Sequence, residues 1–377
     1  MHDDLLALII CIQARCPVFL WGPPGIGKSA SLEAIAAALD EKLWTIILSI
    51  REPSDQGGLP IITPDGVKLH PPAWAVQLVE NKGGIVLWDE FNAAPPTTQS
   101  SALRVIHGGW AGDLQLPLAN TSFVAAGNPT EVSTGAFDLT SAIANRWTHL
   151  NMPVRSEYWC DGMTRGWPAP PVRRLPAAWR DDFVPAMRAL IVGFIRVRSE
   201  LLCVLPDSVV LQGRAWPSPR SWDRAATLLG AAQSLGYGPK SAVSALLVLG
   251  CVGEAAQIQF SSYITKLDLR DPEEYLANPN LPLPQRQDQL LVTLDGVVAA
   301  ALQQGGRSRQ EFLGRYNKAW AVIGRASDKP DLSRGAATSL ARSLPPEFDK
   351  DELLPQEAGL FLSMLEKAKI DLGMQRP

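Results

Sequence analysis

The segment Gly22–Ser29 constrains this chain more than any other part of it, because it fits the phosphate-binding pattern G-x-x-x-x-G-K-[ST]. An apolar run, Pro17–Trp21, precedes it and predicts a buried strand, whereas residues 30–39 follow with apolar side chains at helical spacing. Glycines let backbone N–H groups wrap a phosphate, and the helix N-terminus adds partial positive charge. The sequence therefore predicts a strand, a phosphate loop and a helix; the alternative is a chance match.

The residues of this loop have separate expected roles. Lys28 is expected to reach the β- and γ-phosphates of a nucleotide, and the Ser29 hydroxyl to ligate Mg²⁺. The backbone N–H groups along the loop are expected to surround the phosphates. The predicted nucleotide-binding residues are Gly22, Pro23, Pro24, Gly25, Ile26, Gly27, Lys28, Ser29 and Ala30.

Length and charge limit the other classes of function. The 377 residues are enough for two or three domains, and the net charge of −3 offers no general attraction to nucleic acid or anionic membranes. The early apolar run Leu5–Ile12 is too short to span a bilayer and follows acidic residues, unlike a signal peptide. The five cysteines and four histidines show no metal-ligand spacing. We therefore expect a cytoplasmic protein without a membrane span.

The chain divides into four predicted parts. Residues 1–153 alternate short apolar runs with helical patterns, which predicts a parallel sheet covered by helices. Residues 154–182 are rich in proline and tryptophan and predict a connector, 183–265 predict four helices, and 266–377 predict a further helical extension that begins with a polar linker. The predicted strands after the loop are Ile46–Ile50, Ile85–Trp88 and Ser122–Ala126, the predicted hairpins are Leu59–His70 and one within 108–118, and the predicted late helices are Gln285–Gln304, Ser308–Ala326 and Glu357–Asp371.

Two acids follow the apolar run Ile85–Trp88. The carboxyl ends of parallel strands meet at the ligand crevice, so Asp89 and Glu90 would face the phosphate loop. Asp89 is expected to hold Mg²⁺ through water, and Glu90 to polarise an attacking water. Alternatively, the pair is a solvated turn. With the loop upstream, the pair favours phosphoryl transfer to water over simple nucleotide storage.

Three further polar residues are candidates for contact with the γ-phosphate. Asn128 follows the run Ser122–Ala126 and is either a turn former or a hydrogen-bond donor to the γ-phosphate or the lytic water. Arg146 could stabilise transition-state charge from a neighbouring subunit, or form a surface salt bridge. Arg220 follows Ser218-Pro219 in a predicted first helical turn, where a cation opposes the macrodipole unless an external anion compensates it. The alternative for Arg220 is a solvated side chain.

Together these motifs resemble the AAA+ ATPases, and within them the MoxR group, a relative of the magnesium-chelatase ATPase subunit. The resemblance covers residues 1 to about 265, and Asp-Glu-x-Asn-x-Ala-Pro-Pro-x-x-Gln is its most specific stretch. One motif departs from the family pattern, since Asn145-Arg146-Trp147 stands where Asp-Arg-Phe is usual. The segments that carry the resemblance are Gly22–Ser29, Trp88–Asn92, Ala94–Leu103, Ala126–Pro129, Ala144–Trp147 and Ser218–Arg220.

The resemblance implies an AAA+ parallel-sheet core, with 183–265 as an all-α lid, that binds ATP and Mg²⁺. It implies that Asn128 senses the γ-phosphate, that Arg146 is an arginine finger acting in trans, and that Arg220 is the sensor arginine of the lid. It also implies a homo-oligomeric ring, usually a hexamer, and a partner with a von Willebrand factor A domain or another protein client. We therefore expect an ATP-driven remodelling motor. A nucleic-acid motor and a slowly hydrolysing signalling scaffold are the alternatives.

Overall fold

The computed structural model describes residues 2–133, 135–303 and 308–342. Their strands are β1 (Val18–Trp21), β2 (Leu43–Ile47), β3 (Leu59–Thr63), β4 (Gly66–His70), β5 (Gly84–Asp89), β6 (Trp110–Ala111), β7 (Leu114–Gln115), β8 (Thr121–Gly127) and β9 (Thr148–Asn151). Five of these strands form one parallel sheet in the order β2-β5-β8-β1-β9. The predicted α/β fold is confirmed.

Helices cover this sheet and make up most of the later chain. They are α1 (Asp3–Gln13), α2 (Lys28–Ala38), α3 (Ser54–Gly57), α4 (Ala73–Glu80), α5 (Pro96–Leu103), α6 (Ser141–Ala144), α7 (Ser156–Arg165), α8 (Trp179–Val197), α9 (Val209–Gln212), α10 (Pro219–Ser234), α11 (Ala242–Val252), α12 (Glu254–Lys266), α13 (Pro272–Ala277), α14 (Gln287–Leu302), α15 (Arg309–Gly324) and α16 (Pro330–Arg342). Within the described residues, none is both long and apolar enough to cross a lipid bilayer.

The central strands were predictable because they are buried on both faces. Every residue of β1 and β8 is buried, so these strands are apolar runs without alternation. The strand predicted at Ile46–Ile50 lies three residues earlier in the structure. It begins at Leu43 and ends at Ile47, and residues 48–50 form a 3₁₀ turn. It lies at the edge of the sheet and alternates between buried and exposed residues. The sequence Thr148–Asn151 is polar, and β9 was not predicted.

Both predicted hairpins are present. Strands β3 and β4 pair from Leu59 opposite His70 to Thr63 opposite Gly66, and β6 pairs with β7. The two hairpins are joined, because the Asp113 backbone N–H donates to Leu69 O at 2.9 Å and the Asp113 carboxylate accepts from Leu69 N at 2.8 Å. The β3–β4 hairpin presents apolar side chains to solvent, and Ile62 is 92% exposed.

The chain forms two compact units. The first contains residues 2–175 and 201–259, and the second contains 176–200 and the described residues after 259. The predicted lid segment, 183–265, is thus divided between the two units, and the functional limits at 153, 182 and 265 stay predictions. Within the first unit, the connector is anchored by an ion pair between Arg155 and Asp4 at 2.7 Å.

The second unit has its own hydrophobic core. Helix α8 packs on α14, and buried Tyr316 and Trp320 of α15 lie in the same cluster as α14. The polar linker predicted at the start of 266–377 is wrong in part, because α13 forms there and buries Tyr275 and Leu276. The predicted helix Glu357–Asp371 lies outside the described residues.

Candidate nucleotide site

Backbone geometry shapes the loop between β1 and α2. Gly25 and Gly27 have φ angles of +79° and +89°, which an L-residue adopts only with strain. A Cβ on either glycine would meet no atom within 4 Å, so φ rather than space requires glycine there. Helix α2 begins at Lys28, two residues earlier than the sequence pattern predicted. The first turn of α2 therefore starts directly at the motif lysine.

Lys28 is 8% exposed, and three oxygen atoms surround its ammonium group. Its Nζ donates to Gly22 O at 2.8 Å, to Pro23 O at 3.0 Å and to Asn128 Oδ1 at 2.8 Å. Burial lowers the pKa of Lys28, and the nearby charge of Asp89 acts in the opposite direction. The structure thus places Lys28 and Asn128, which are a hundred positions apart in sequence, in direct contact.

Ser29 and Asp89 form a pair of hard oxygen ligands. The Ser29 hydroxyl donates to Asp89 Oδ2 at 2.6 Å, and the other Asp89 oxygen accepts from Glu90 N at 2.9 Å. Mg²⁺ prefers a few protein oxygens and completes its shell with water and phosphate, so this donor set suits it. Within the described residues, no group of three His, Cys, Asp or Glu side chains could hold a metal by itself. Ser29 and Asp89 are the residues that would hold the ion.

Glu90 has a backbone conformation that costs free energy. Its φ of +53° lies in the left-handed region, which typically costs about 1–2 kcal/mol for a residue other than glycine. The Ser49 hydroxyl donates a hydrogen bond to Glu90 Oε2 and so orients the carboxylate. Strain of this kind is concentrated at functional sites. Sequence analysis missed Ser49, because nothing in the local pattern after β2 marks it.

Asn128 is locked from a second direction. Its backbone N–H donates to Asn92 Oδ1 at 3.1 Å, and its carbonyl accepts from Asn92 Nδ2 at 2.8 Å. Asn92 is 1% exposed, so it acts as a brace behind the site. Asn92 belongs to the motif Trp88–Asn92, but sequence analysis gave it no role. A paired backbone contact of this type needs an amide, which both donates and accepts.

The predicted site residues fall on two edges of the sheet. Lys28, Ser29, Asp89, Glu90 and Asn128 meet at the carboxyl ends of the strands. Arg146 and Arg220 belong to a separate arginine cluster, described below.

Arg146 lies at the opposite, amino edge of the sheet. It precedes Thr148, which pairs with Val18 at the start of β1, whereas the phosphate loop leaves from the other end, after Trp21. Three residue steps of strand separate these ends by about 10 Å. The structure therefore does not bring Arg146 to the Lys28 site of its own chain.

The arginine cluster consists of Arg146, Arg220 and Arg224. Burial lowers the pKa of Arg146, and the positive charges of Arg220 and Arg224 lower it further. Within the described residues, neither Arg146 Nε nor Arg224 Nη1 has a hydrogen-bond partner. Arg220 is exposed in the first turn of α10, and Ser218 caps the N-terminus of this helix. The cluster is a concentration of cationic donors without a matching anion among these residues.

An aromatic stack joins the loop strand to the α6–β9 turn. Trp21 Nε1 donates to His149 Nδ1 at 2.9 Å, and His149 Nε2 donates to Ala144 O at 2.9 Å. The Arg214 guanidinium lies 3.6 Å from the ring centroid of Trp21. Burial lowers the pKa of His149 to about 3, so this ring is neutral near pH 7. Sequence analysis missed the stack because β9 itself was not predicted.

Comparison with known proteins supports this description. Residues 17–147 match the model of the AAA domain (dynein-related subfamily). No curated protein matches the chain.

Matches among solved structures include three at 16% sequence identity. A candidate ATPase from Cytophaga hutchinsonii has a TM-score of 0.47, and the match covers 66% of this chain and 84% of that one. A full-length MCM homologue from Methanopyrus kandleri has a TM-score of 0.39, covering 66% and 55%. NtrX from Brucella abortus, solved with ATP, has a TM-score of 0.25, covering 89% and 64%.

AAA domains in general bind and hydrolyse ATP, usually with Mg²⁺. The matched range begins at the residue before β1 and ends at Trp147, and so contains both the phosphate loop and Arg146. Residues 17–147 thus carry an AAA domain, in the α/β fold of AAA+ ATPases followed by helices.

Proposed function

We propose that this protein is a Mg-ATP-hydrolysing motor of the MoxR type whose ATP sites are shared between neighbouring copies in a ring. One observation carries the proposal: the phosphate-binding and acidic residues meet at the carboxyl edge of the sheet, while Arg146 lies at the amino edge. A complete hydrolytic site therefore requires the carboxyl edge of one copy and the amino edge of another. The preference for ATP over GTP follows the AAA-domain match.

The carboxyl-edge residues have distinct proposed roles. The loop N–H groups and Lys28 bind the phosphates, and Lys28 would exchange its contacts with loop carbonyls for phosphate oxygens. Ser29 and Asp89 hold Mg²⁺, which when bound would neutralise charge on the β- and γ-phosphate oxygens. Glu90, aimed by Ser49, orients and deprotonates the attacking water, and Asn128 hydrogen-bonds the γ-phosphate or that water.

The arginines supply the remaining charge. A planar guanidinium stabilises the charge of a transferring phosphoryl group, and a neighbouring subunit can provide it. Arg146 is proposed to do so in trans, with Arg220 close beside it as the sensor arginine. Because Arg146 would gain an anionic partner only at a subunit junction, hydrolysis and phosphate release would break that contact and move the neighbouring copies.

The substrate class is proposed to be protein. We propose a ring, with six copies as the expected number, that remodels or assembles a client, with a von Willebrand factor A-domain protein as the expected partner. The motif Asp89–Gln99 and its MoxR-type spacing support this choice. The overall charge of −3 provides no general attraction to nucleic acid, which disfavours a nucleic-acid motor.

Steady-state ATPase activity as a function of protein concentration tests the proposal. Activity per subunit is expected to rise cooperatively with concentration, and Glu90→Gln and Arg146→Ala are expected to reduce it to a small residual rate. Glu80→Gln and Arg165→Ala are the matched controls, since both side chains are exposed and Arg165 pairs with Asp161 rather than with a site residue. Activity that is independent of concentration and unchanged by Arg146→Ala would overturn the shared site.

A further inference from the structure

The residue before Arg146 makes three hydrogen bonds to the start of α10. The Ser218 hydroxyl donates to Asn145 Oδ1 at 2.8 Å, Asn145 Nδ2 donates to Trp216 O at 3.3 Å, and Arg224 Nη2 donates to Asn145 O at 2.7 Å. Asn145 is 6% exposed and Arg224 is 9% exposed. The backbone next to Arg146 is thus attached both to the segment before α10 and to the helix itself.

This arrangement uses both functions of an amide side chain. Asn145 accepts from one group and donates to another, whereas a carboxylate could only accept. An aspartate, the usual family residue here, would place an acceptor against Trp216 O. The structure therefore explains why an amide replaces the acid here: Asn145 accepts from Ser218 and donates to Trp216 O in the segment that caps α10.

Ser218 couples the two arginines through the same contact. It caps α10 by accepting from Ser221 N at 3.1 Å while its hydroxyl donates to Asn145. Arg220 is the second residue of that helix, so its backbone position is set by the cap that also holds Asn145. Two cations held close together repel, and the hydrogen bonds of Asn145 connect the backbone beside Arg146 to the cap beside Arg220.

We propose that Asn145, with Ser218 and Arg224, is a positioning residue that holds Arg146 beside Arg220 so that both are oriented before a phosphate arrives. The proposal rests on the proposed function, in which Arg146 acts on the nucleotide of a neighbouring copy. Asn145 itself would not touch the nucleotide. Its loss would therefore lower kcat and leave nucleotide binding at the carboxyl edge intact.

The test compares Asn145→Ala and the milder Ser218→Ala with Arg146→Ala in the full-length chain. Asn145→Ala is expected to lower kcat at least tenfold, with the affinity for a fluorescent ATP analogue within twofold of wild type. The double variant Asn145→Ala/Arg146→Ala is expected to be no slower than Arg146→Ala alone, because both changes remove one function. Ser241→Ala, which removes the equivalent cap of α11, is the matched control and should keep the wild-type rate.

A mixing readout separates positioning from general damage. Asn145→Ala protein retains its own phosphate loop, so adding Lys28→Ala protein, which retains the arginine cluster, should restore part of the activity. Wild-type kcat in both Asn145→Ala and Ser218→Ala, additive loss in the double variant, or no recovery on mixing would overturn the positioning role. Full activity of Arg146→Ala would instead overturn the proposed function, and this proposal with it.

Discussion

The two edges of the central sheet differ in how their charges are balanced. At the carboxyl edge, Lys28 donates to three oxygens, and the oxygens of Asp89 are met by Ser29 and a backbone N–H. At the amino edge, Arg146 and Arg224 retain buried donors without partners in the described residues. One edge is satisfied within its own chain, whereas the other has a surplus of cationic donors.

This difference indicates where an external anion would be stabilised. The positive charges of Arg146, Arg220 and Arg224 lie close enough to repel one another, so an anion beside the exposed Arg220 would lower the electrostatic free energy of the cluster. A nucleotide phosphate bound at the carboxyl edge of another copy has the matching charge. Under the proposed function, the cationic surplus at one edge and the phosphate loop at the other would be complementary across a subunit junction.

The largest expected effect comes from replacing the guanidinium of Arg146 at the amino edge. Arg146→Lys keeps the positive charge but removes the planar fork, so kcat is expected to fall by roughly 10³-fold. Affinity for ATP should stay unchanged, since Lys28 and the loop are untouched. Steady-state kinetics with a separate equilibrium binding measurement would check this. A lysine variant with wild-type kcat would show that charge alone suffices and would weaken the proposed geometry.

A second prediction concerns the stack that links the edges. The pKa of His149 is lowered to about 3, below the value of roughly 6.5 expected in the unfolded chain. The unfolded state therefore binds a proton first, so stability is complete above about pH 6.5 and falls as pH decreases towards 3. The slope approaches about 1.4 kcal/mol per pH unit below pH 6.5, which integrates to about 2 kcal/mol between pH 6.5 and 4.5.

Denaturant unfolding across this pH range would test the prediction. His149→Gln is expected to remove that part of the pH slope, whatever its effect on absolute stability. Ser241→Ala, which removes no titrating group, serves as the control. An unchanged slope in His149→Gln would contradict the description of a buried neutral imidazole between Trp21 and Ala144.

A smaller effect is expected from the brace on Glu90. Ser49→Ala removes the hydroxyl that holds the Glu90 carboxylate, so kcat should fall by about tenfold, equivalent to about 1.4 kcal/mol. KM for ATP should change little. Ser100→Ala, at an exposed helical position, is the control. A loss as large as that of Glu90→Gln would instead indicate that Ser49 contacts the reacting groups.

The smallest expected effect concerns the backbone conformation of the phosphate loop at the carboxyl edge. Gly27→Ala forces a left-handed backbone on alanine without any steric contact, which should lower the free energy of unfolding by about 1 kcal/mol and weaken ATP binding. Gly314→Ala in α15 also meets no neighbouring atom but has no positive φ, so it should be neutral or stabilising. Equal effects of the two changes on ATP affinity would contradict the role of the loop backbone.

The sequence predicted the carboxyl edge well because its signals are local. The phosphate loop, the acids after β5 and Asn128 after β8 each follow an apolar strand, and parallel strands bring their carboxyl ends together. The supporting residues were not predictable in the same way. Ser49 and Asn92 act through contacts between distant segments, which have no periodic pattern.

The amino edge was predicted only in part. Arg146 and Arg220 were identified, but their proximity depends on Asn145 and Ser218, which lie 73 positions apart. Strand β9 was missed because its polar residues are buried by tertiary packing rather than by an apolar pattern. The polar segment that contains α13 was misread for the same reason, since its buried residues Tyr275 and Leu276 do not form an apolar pattern in the sequence.

Mixing two inactive variants tests the central claim most directly. Lys28→Ala protein lacks a working carboxyl edge, and Arg146→Ala protein lacks a working amino edge, so each alone should be nearly inactive. In an equal mixture, roughly a quarter of head-to-tail junctions would pair the intact carboxyl edge with the intact amino edge, and ATPase activity should reappear. A mixture with no more activity than the sum of its components would contradict a site shared between copies.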